Sequence, residues 1–228
     1  MALYYNEIMK YVFLGLLLLA TVWHLIESWR DNMRRRKFTK PFLIPLILLY
    51  YIVSTDHLIW FLVLALIFSW LGDVFLMFQG NTWFTVGGCF FGVSHIFFVL
   101  TYVNQIHWSV VRLSVLIPVA VVYVAITTLI ILAVIKQTPK KMLPAMYLYL
   151  IANSTMNVFA VMQLESVPST GSIIALIGAI LFFISDCSLF LVRYSKHPEW
   201  IFKKHFTVML TYIVGEFLIT QGILMLVG

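Results

Sequence analysis

Eight apolar runs follow one another along this chain, with short polar segments between them. An α-helix needs about 20 apolar residues to cross roughly 30 Å of hydrocarbon, and shorter runs can serve where neighbouring helices cover their ends. Because 62% of the 228 residues are hydrophobic and 11% are charged, the composition excludes a water-soluble domain of this size. The sequence therefore predicts an all-α, polytopic transmembrane helical bundle of about eight spans, forming a single integral membrane domain over residues 1–228. The predicted spans cover residues 11–26, 41–53, 58–78, 83–103, 110–135, 143–163, 172–194 and 206–227.

The second predicted span, residues 41–53, is the shortest and carries Pro41 and Pro45. A run of about a dozen residues reaches only part of the way across the hydrocarbon. We therefore expect either a half-span or a segment that runs on into the third span.

Basic residues are concentrated in alternate loops of this arrangement. The loops after spans one, five and seven hold all of the 15 lysines and arginines except Lys10 and Arg112. Since Lys and Arg accumulate in cytoplasmic loops, we predict that the basic loops face the cytosol and that both termini lie on the other side. The net charge of +6 is then a topology signal, so we expect no nucleic acid partner. The expected location is the endoplasmic reticulum membrane.

Two segments resemble each other and suggest an internal duplication. IFSWLGDVFLMF in span three and ILFFISDCSLFL in span seven align on Asp73 and Asp186, about half the chain length apart. Four spans in each half would give two parallel repeats, as in some transporters. Gly88 and Gly92 in span four have the spacing of a close helix contact.

Three acidic residues, Asp73, Asp186 and Glu216, lie inside predicted spans. An ionised carboxylate at bilayer depth costs about 2.5–3.5 kcal/mol on insertion scales, so such residues normally face a bundle interior or a wet cavity and mark function. Counted from the span ends, all three belong to the half of the membrane next to the basic loops, where one pocket could hold them. A purely structural pair of aspartates is the less favoured interpretation.

Other polar residues lie near the level of these carboxylates. In membrane helices, Asn and Ser side chains are more often interhelical hydrogen-bond partners than catalysts. A zinc site can be drawn from the two aspartates and His95, but the lack of a second buried histidine argues against it, so we expect no metal and no cofactor. The polar residues are Ser69, His95, Asn153, Asn157 and Ser185.

The segments around both aspartates resemble the signature segments of the YhhN-like lysoplasmalogenase family. The first segment is SWLGD, residues 69–73, followed by Leu76; the second runs from Gly178 to Tyr194 and includes Ser185-Asp186 and Arg193. Two positions depart from the family pattern, because the chain has Phe98 where a Tyr is frequent and Glu216 where a Gln is frequent. Further matches are Lys40-Pro41, Gly88, Phe91, His95, Tyr147, Ala160 and Tyr212.

The resemblance implies an eight-span ether hydrolase that cleaves the vinyl ether bond of lysoplasmalogens. Its substrates would be alkenylglycerophosphocholine and alkenylglycerophosphoethanolamine, and its products a fatty aldehyde and the glycerophospho-headgroup. One of Asp73 and Asp186 would act as the general acid, and the other would stabilise the cation and orient water, with either assignment open. Arg193 would hold the phosphate. The remaining substrate-binding residues would be Ser69, His95, Asn153, Asn157, Ser185 and Glu216.

Two other functions remain open from the sequence alone. A proton-coupled transporter or a receptor-like membrane protein would use the same buried carboxylates for proton coupling or to bind a cationic solute. A family member that binds lipid without turnover would use the same pocket. The headgroup preference and the oligomeric state also stay open.

Overall fold

The computed structural model describes residues 2–227, with side-chain environments from residue 7 onward, and this part of the chain contains helices and no strand. The predicted all-α class is therefore confirmed. Eight helices correspond to the eight predicted spans, and a short additional helix follows the first of them. The helices are α1 (Ala2–Trp29), α2 (Met33–Thr39), α3 (Leu43–Val53), α4 (Trp60–Leu76), α5 (Asn81–Val103), α6 (Leu113–Val134), α7 (Leu143–Ser166), α8 (Thr170–Tyr194) and α9 (His205–Val227).

Six of these helices are long and apolar enough to cross a membrane, namely α1 and α5 to α9, as in a multi-pass membrane protein. Helix α4 is apolar but has only 17 residues. Helix α3 has 11 residues, so at 1.5 Å per residue it rises about 16 Å, roughly half of the hydrocarbon thickness. Helix α3 ends at Val53, before α4 begins at Trp60, so the segment does not run on into the third span as a continuous helix.

Helix α2 was not predicted, because its sequence, MRRRKFT, has the composition of a basic loop. The Asn32 side chain caps it by accepting a hydrogen bond from the backbone N–H of Arg35 at 3.2 Å. A short 3₁₀ turn, Lys40–Phe42, then leads into α3, with Pro41 where a missing N–H is tolerated. This connection folds back over the end of the bundle and brings its basic side chains to the site described below.

The most extensive helix packing joins α8 to α9 and α4 to α5. Between α8 and α9 the backbones touch at glycines: a Cβ on Gly178 would lie 2.5 Å from the backbone nitrogen of Ile219, and one on Gly222 would lie 2.5 Å from that of Ala175. Small residues allow this close approach in membrane helices. The interpretation of Gly88 and Gly92 as a close contact was wrong, because a Cβ on either would meet open space.

The packing pattern follows the proposed duplication. Helices α4 and α5 pair as α8 and α9 do, and α3 packs on α9 as α7 packs on α5. A 3₁₀ turn beginning with lysine precedes both α3 and α7, at Lys40–Phe42 and Lys140–Met142. These correspondences are those that two four-helix repeats would give, and the duplication itself stays a prediction.

Candidate active site

A cavity of about 300 Å³ opens at one end of the bundle, where α2, the α4–α5 connection, the end of α8 and the start of α9 meet. Both Asp73 and Asp186 line it. The connections after α1, α4 and α8 therefore lie on the same face of the bundle, in agreement with the predicted grouping of these loops. Basic side chains line the same cavity, namely Arg36, Lys37, Lys40, Arg193 and His205.

Asp73, near the end of α4, is held by a buried ion pair. The Lys40 ammonium lies 2.8 Å from Oδ1, and the two side chains are 16% and 2% exposed. The Tyr212 hydroxyl of α9 donates a hydrogen bond to Oδ2 at 2.9 Å. Because both oxygens have strong donors, one of them cationic, these contacts favour the ionised carboxylate at this position.

Asp186, in the middle of α8, has different partners. The Asn153 amide of α7 donates to its Oδ2 at 2.6 Å, and His95 Nε2 of α5 lies 3.3 Å from the same oxygen. The Asn157 amide donates to the carbonyl and side-chain oxygens of Asn153 at 3.0 and 3.1 Å, and the Tyr123 hydroxyl donates to Asn157 Oδ1 at 3.0 Å. A hydrogen-bonded series from α6 thus ends on the carboxyl group of Asp186.

The tautomer of His95 follows from its second nitrogen. Nδ1 lies 2.5 Å from the backbone oxygen of Phe91, which can only accept, so Nδ1 carries a proton. Nε2 lies 3.3 Å from Asp186 Oδ2 without a hydrogen-bond partner among the described residues, so it presents either a lone pair or a second proton to the carboxyl group. The ring is fully buried, and its centroid lies 4.9 Å from that of Phe182. Asp186 and His95 therefore lie within the distance at which a proton can pass between them.

Glu216 and Ser69 are not among the residues that line the cavity, although the sequence suggested that one pocket could hold all three carboxylates. Ser69 donates to Glu216 Oε1 at 2.5 Å, and Ser94 Oγ lies 2.8 Å from Ser69 Oγ. Glu216 is fully buried, and its Oε2 has no hydrogen-bond partner in the part of the chain that the structure describes. The structure thus brings together two of the three carboxylates at the cavity wall.

Ser185 and Arg193 line the cavity as well. Ser185 donates to the backbone oxygen of Val208 at 2.9 Å, which ties α8 to α9. The Arg193 guanidinium stands 4.0 Å from the ring centroid of Phe84 and donates to Asn81 Oδ1 at 3.2 Å. These contacts fix Arg193 at the cavity mouth without a carboxylate partner among the described side chains, which leaves its charge available to an anion.

Sequence analysis did not assign the two direct partners of Asp73 to the site. Lys40 was counted as a topology signal, because a basic residue before a span does not indicate what it contacts. Tyr212 precedes Glu216 by one helical turn in α9, so a polar face of α9 was the signal that could have found it. Arg36, His205 and His24 also line the cavity and were not predicted.

The described residues do not form the zinc site that could be drawn from Asp73, Asp186 and His95. Within residues 2–227, no three or more His, Cys, Asp and Glu side chains form a group that could hold a metal ion. Asp73, Asp186 and His95 instead have protein partners: the Lys40 ammonium, the Asn153 amide and the Phe91 carbonyl oxygen.

The family of this chain is identified by its match to a family model. The model of the YhhN family matches residues 35–223, from α2 to α9. The chain belongs to the YhhN family. In this YhhN protein both aspartates and their partners Lys40, Tyr212 and His95 lie inside the matched segment, whereas α1 lies outside it. No curated protein and no solved structure gave a match.

Proposed function

We propose that this YhhN protein is a membrane hydrolase that cleaves the vinyl ether bond of lysoplasmalogens, the alkenylglycerophosphocholines and alkenylglycerophosphoethanolamines. One observation carries the proposal: two aspartates with unlike partners, Lys40 for Asp73 and His95 for Asp186, line one cavity beneath a basic mouth. Vinyl ether hydrolysis needs a proton donor, a negative charge and a place for a phosphate, and these groups would provide all three.

The reaction begins with proton transfer to the alkene carbon that does not bear oxygen. The π electrons form the new C–H bond, and the adjacent carbon becomes an oxocarbenium ion. Water adds to that carbon and loses a proton, which gives a hemiacetal. The hemiacetal C–O bond to glycerol then breaks, and the glycerol oxygen takes a proton, so a fatty aldehyde and a glycerophospho-headgroup leave.

We assign the general acid to Asp186. Its Oδ2 lies 3.3 Å from His95 Nε2, close enough for His95 to return a proton to it after each turnover. The Asn153 amide fixes the carboxyl orientation from the opposite helix, at 2.6 Å. A positioned acid of this kind contributes typically about 10²–10⁴-fold to rate.

Asp73 then supplies the negative charge. The Lys40 ammonium and the Tyr212 hydroxyl favour its ionised form, in which it can stabilise the oxocarbenium ion and accept a proton from the attacking water. This division of labour between two carboxyl groups resembles that of glycosidases, where unlike surroundings keep one group protonated and the other ionised.

The basic mouth fits the phosphodiester of a lysolipid. Burial lowers the pKa of the Arg36 guanidinium, and the Asp31 carboxylate, 3.5 Å away, opposes that shift. A bound phosphate would offset the same desolvation cost more strongly, together with Arg193 at the other side of the mouth. At about 300 Å³ the cavity is at the small end of ligand pockets, so it would hold the headgroup and the vinyl ether while the chain lies along apolar helix faces.

A proton-coupled transporter is the second candidate, and the repeat-like pairing of α4 with α5 and of α8 with α9 favours it. It would move the proton of the Asp186–His95 pair with a solute, and it would release no aldehyde. A receptor-like protein or a lipid-binding family member without catalytic activity would bind lysolipid and leave it intact.

The proposed location is the endoplasmic reticulum membrane. The proposed orientation, with the basic loops in the cytosol, is supported by the distribution of Lys and Arg. Protease protection of epitope tags in the α1–α3 and α7–α8 connections tests the orientation. Cleavage from the cytosolic side is expected for a tag beside α2 and not for one between Ser166 and Thr170.

The decisive experiment measures aldehyde release from lysoplasmenylcholine and lysoplasmenylethanolamine by the purified protein in nanodiscs. Wild type is expected to release aldehyde, and Asp73→Asn and Asp186→Asn are expected to release it at least about a hundredfold more slowly while they unfold at near wild-type temperature. Asp56→Asn is the matched control, since Asp56 is exposed in the α3–α4 connection. Full activity in either site variant, or no aldehyde from folded wild type, refutes the proposal; proton-coupled uptake without aldehyde establishes the transporter.

A further inference from the structure

His24, on α1, is a buried histidine that lines the cavity, and one of its ring nitrogens has no hydrogen-bond partner among the described residues. Its side chain is 1% exposed and lines the cavity beside Lys40 and Arg36. Nδ1 lies 2.7 Å from Thr39 Oγ1, whereas Nε2 has no hydrogen-bond partner in the part of the chain that the structure describes. An unpartnered buried polar atom in a cavity wall requires an explanation, because burial without a partner costs free energy.

The neighbours of Thr39 determine which proton His24 carries. Thr39 Oγ1 lies 3.2 and 3.3 Å from the backbone oxygens of Arg35 and Arg36, which accept the hydroxyl proton. The hydroxyl oxygen can then only accept from His24, so Nδ1 carries the ring proton and Nε2 has a lone pair. His24 thus offers the cavity a hydrogen-bond acceptor among positively charged groups.

The surrounding charges restrict what can donate to this acceptor. The cations of Lys40, Arg36 and Lys37 line the same cavity as His24. They would repel the ammonium of an ethanolamine headgroup, and the quaternary ammonium of choline has no N–H at all. A neutral hydroxyl is therefore the donor that fits.

We propose that His24 Nε2 accepts a hydrogen bond from the sn-2 hydroxyl of a lysophospholipid and so selects single-chain substrates, an inference that rests on the function proposed above. Thr39, which holds the ring, precedes Lys40, and Lys40 contacts Asp73. His24 lines the same cavity as Asp73 and Asp186, and the sn-2 carbon of a lysolipid is the direct neighbour of the sn-1 carbon that bears the reacting ether. The phosphate, one carbon further, would reach Arg36 and Arg193.

This contact gives a physical reason for rejecting lipids acylated at sn-2. An ester oxygen has no proton, so it would face the His24 lone pair with lone pairs of its own, and the acceptor would stay unpaired. Sites built to hydrogen-bond a substrate hydroxyl discriminate strongly against analogues that lack it. A hydrophobic wall at the same place would discriminate only by size.

The test measures binding without turnover, with a saturated 1-O-alkyl lysophosphatidylethanolamine and its counterpart that has hydrogen in place of the sn-2 hydroxyl. Wild-type protein in nanodiscs is expected to bind the hydroxyl form about tenfold more tightly. His24→Leu is expected to bind both forms equally, and His24→Gln, which keeps an acceptor oxygen, to retain most of the preference. His57→Leu, an exposed histidine in the α3–α4 connection, is the matched control and keeps the wild-type ratio.

The ratio of the two affinities comes from one preparation, so it is independent of the folded fraction. Thr39→Val gives a second route, since it keeps His24 and removes the oxygen that fixes the ring; a preference reduced to about threefold is expected. Equal binding by wild type, or an unchanged preference in His24→Leu, overturns the inference. Aldehyde release is assayed separately, so a wild type with the preference but no aldehyde contradicts the hydrolase and leaves the His24 contact standing.

Discussion

Removal of the Lys40 ammonium is expected to destabilise the fold strongly, because it leaves the Asp73 carboxylate buried without its cation. Breaking a buried ion pair by deleting one partner costs about 3–5 kcal/mol. Lys40 keeps 16% of its side chain exposed at the cavity, whereas Asp73 keeps 2%, so water relieves part of the cost and we expect about 3 kcal/mol for Lys40→Met. The Tyr212 hydroxyl still donates a hydrogen bond to the Asp73 carboxylate in this variant, so we expect a loss at the lower end of that range.

The double variant separates charge from packing. Asp73→Asn alone leaves an ammonium that can turn toward the wet cavity, at a cost of about 1 kcal/mol. Lys40→Met with Asp73→Asn removes both charges, so its loss should be smaller than the sum of the single losses by about 2 kcal/mol. The free energies of unfolding come from denaturant titration of the reconstituted protein.

A surface ion pair provides the control for this cycle. His197 and Glu199 also lie within ion-pair distance, at 2.9 Å, but their side chains are 54% and 63% exposed, so Glu199→Gln is expected to leave the free energy of unfolding unchanged. Additive losses at Lys40 and Asp73, or a loss at Lys40 no larger than that at Glu199, would refute the view that Lys40 stabilises the Asp73 charge.

Three further predictions concern catalysis and the deeper carboxyl group. Asp186→Asn is expected to lower kcat for aldehyde release about 10³-fold with little change in KM, because the amide cannot give up a proton; a larger effect on KM than on kcat would contradict the acid role. Arg36→Gln is expected to raise KM about tenfold at nearly constant kcat, measured against added glycerophosphoethanolamine as competitor, and an unchanged KM would exclude Arg36 from phosphate binding. Glu216→Gln is expected to keep activity within about threefold and stability at or above wild type, since the amide oxygen can still accept from Ser69 and no buried carboxyl remains unpartnered; a collapse of activity would bring Glu216 into the mechanism.

The helices and the two aspartates were predictable because both depend on local sequence. A run of apolar residues has to form a helix when no water is present to satisfy its backbone, and a carboxyl group inside such a run is conspicuous against it. The same reasoning located His95, Asn153 and Asn157, which share the membrane level of Asp186 and contact it directly or through one another.

The residues of the interhelical connections that contact the site were not predictable, because their positions depend on how a loop folds over the bundle. In the sequence, Lys40 and Arg36 indicate only the membrane topology. Helix α2, capped by Asn32, and the residue that follows it bring these side chains to the cavity. The prediction of a close helix contact from glycine spacing was wrong for a related reason. Gly88 and Gly92 have the same separation as close-packed pairs, but the sequence does not say which helix face meets a neighbour, and the close contacts occur at Gly178 and Gly222 instead.

The two halves of the bundle complete each other at the site. Asp73, from the first half, receives a hydrogen bond from Tyr212 of the second, and Asp186, from the second half, meets His95 of the first. If the halves are repeats, duplication supplied two equivalent aspartates. Two carboxyl groups in equivalent surroundings could not take the separate roles of protonated acid and ionised carboxylate. The difference arises from Lys40, because the turn before α7 also begins with lysine, at Lys140, yet Asp186 is met by the Asn153 amide and the His95 ring, with no ammonium within ion-pair distance among the described residues. One ion pair is therefore sufficient to make the two aspartates chemically unlike, and acid catalysis by such a pair requires that difference.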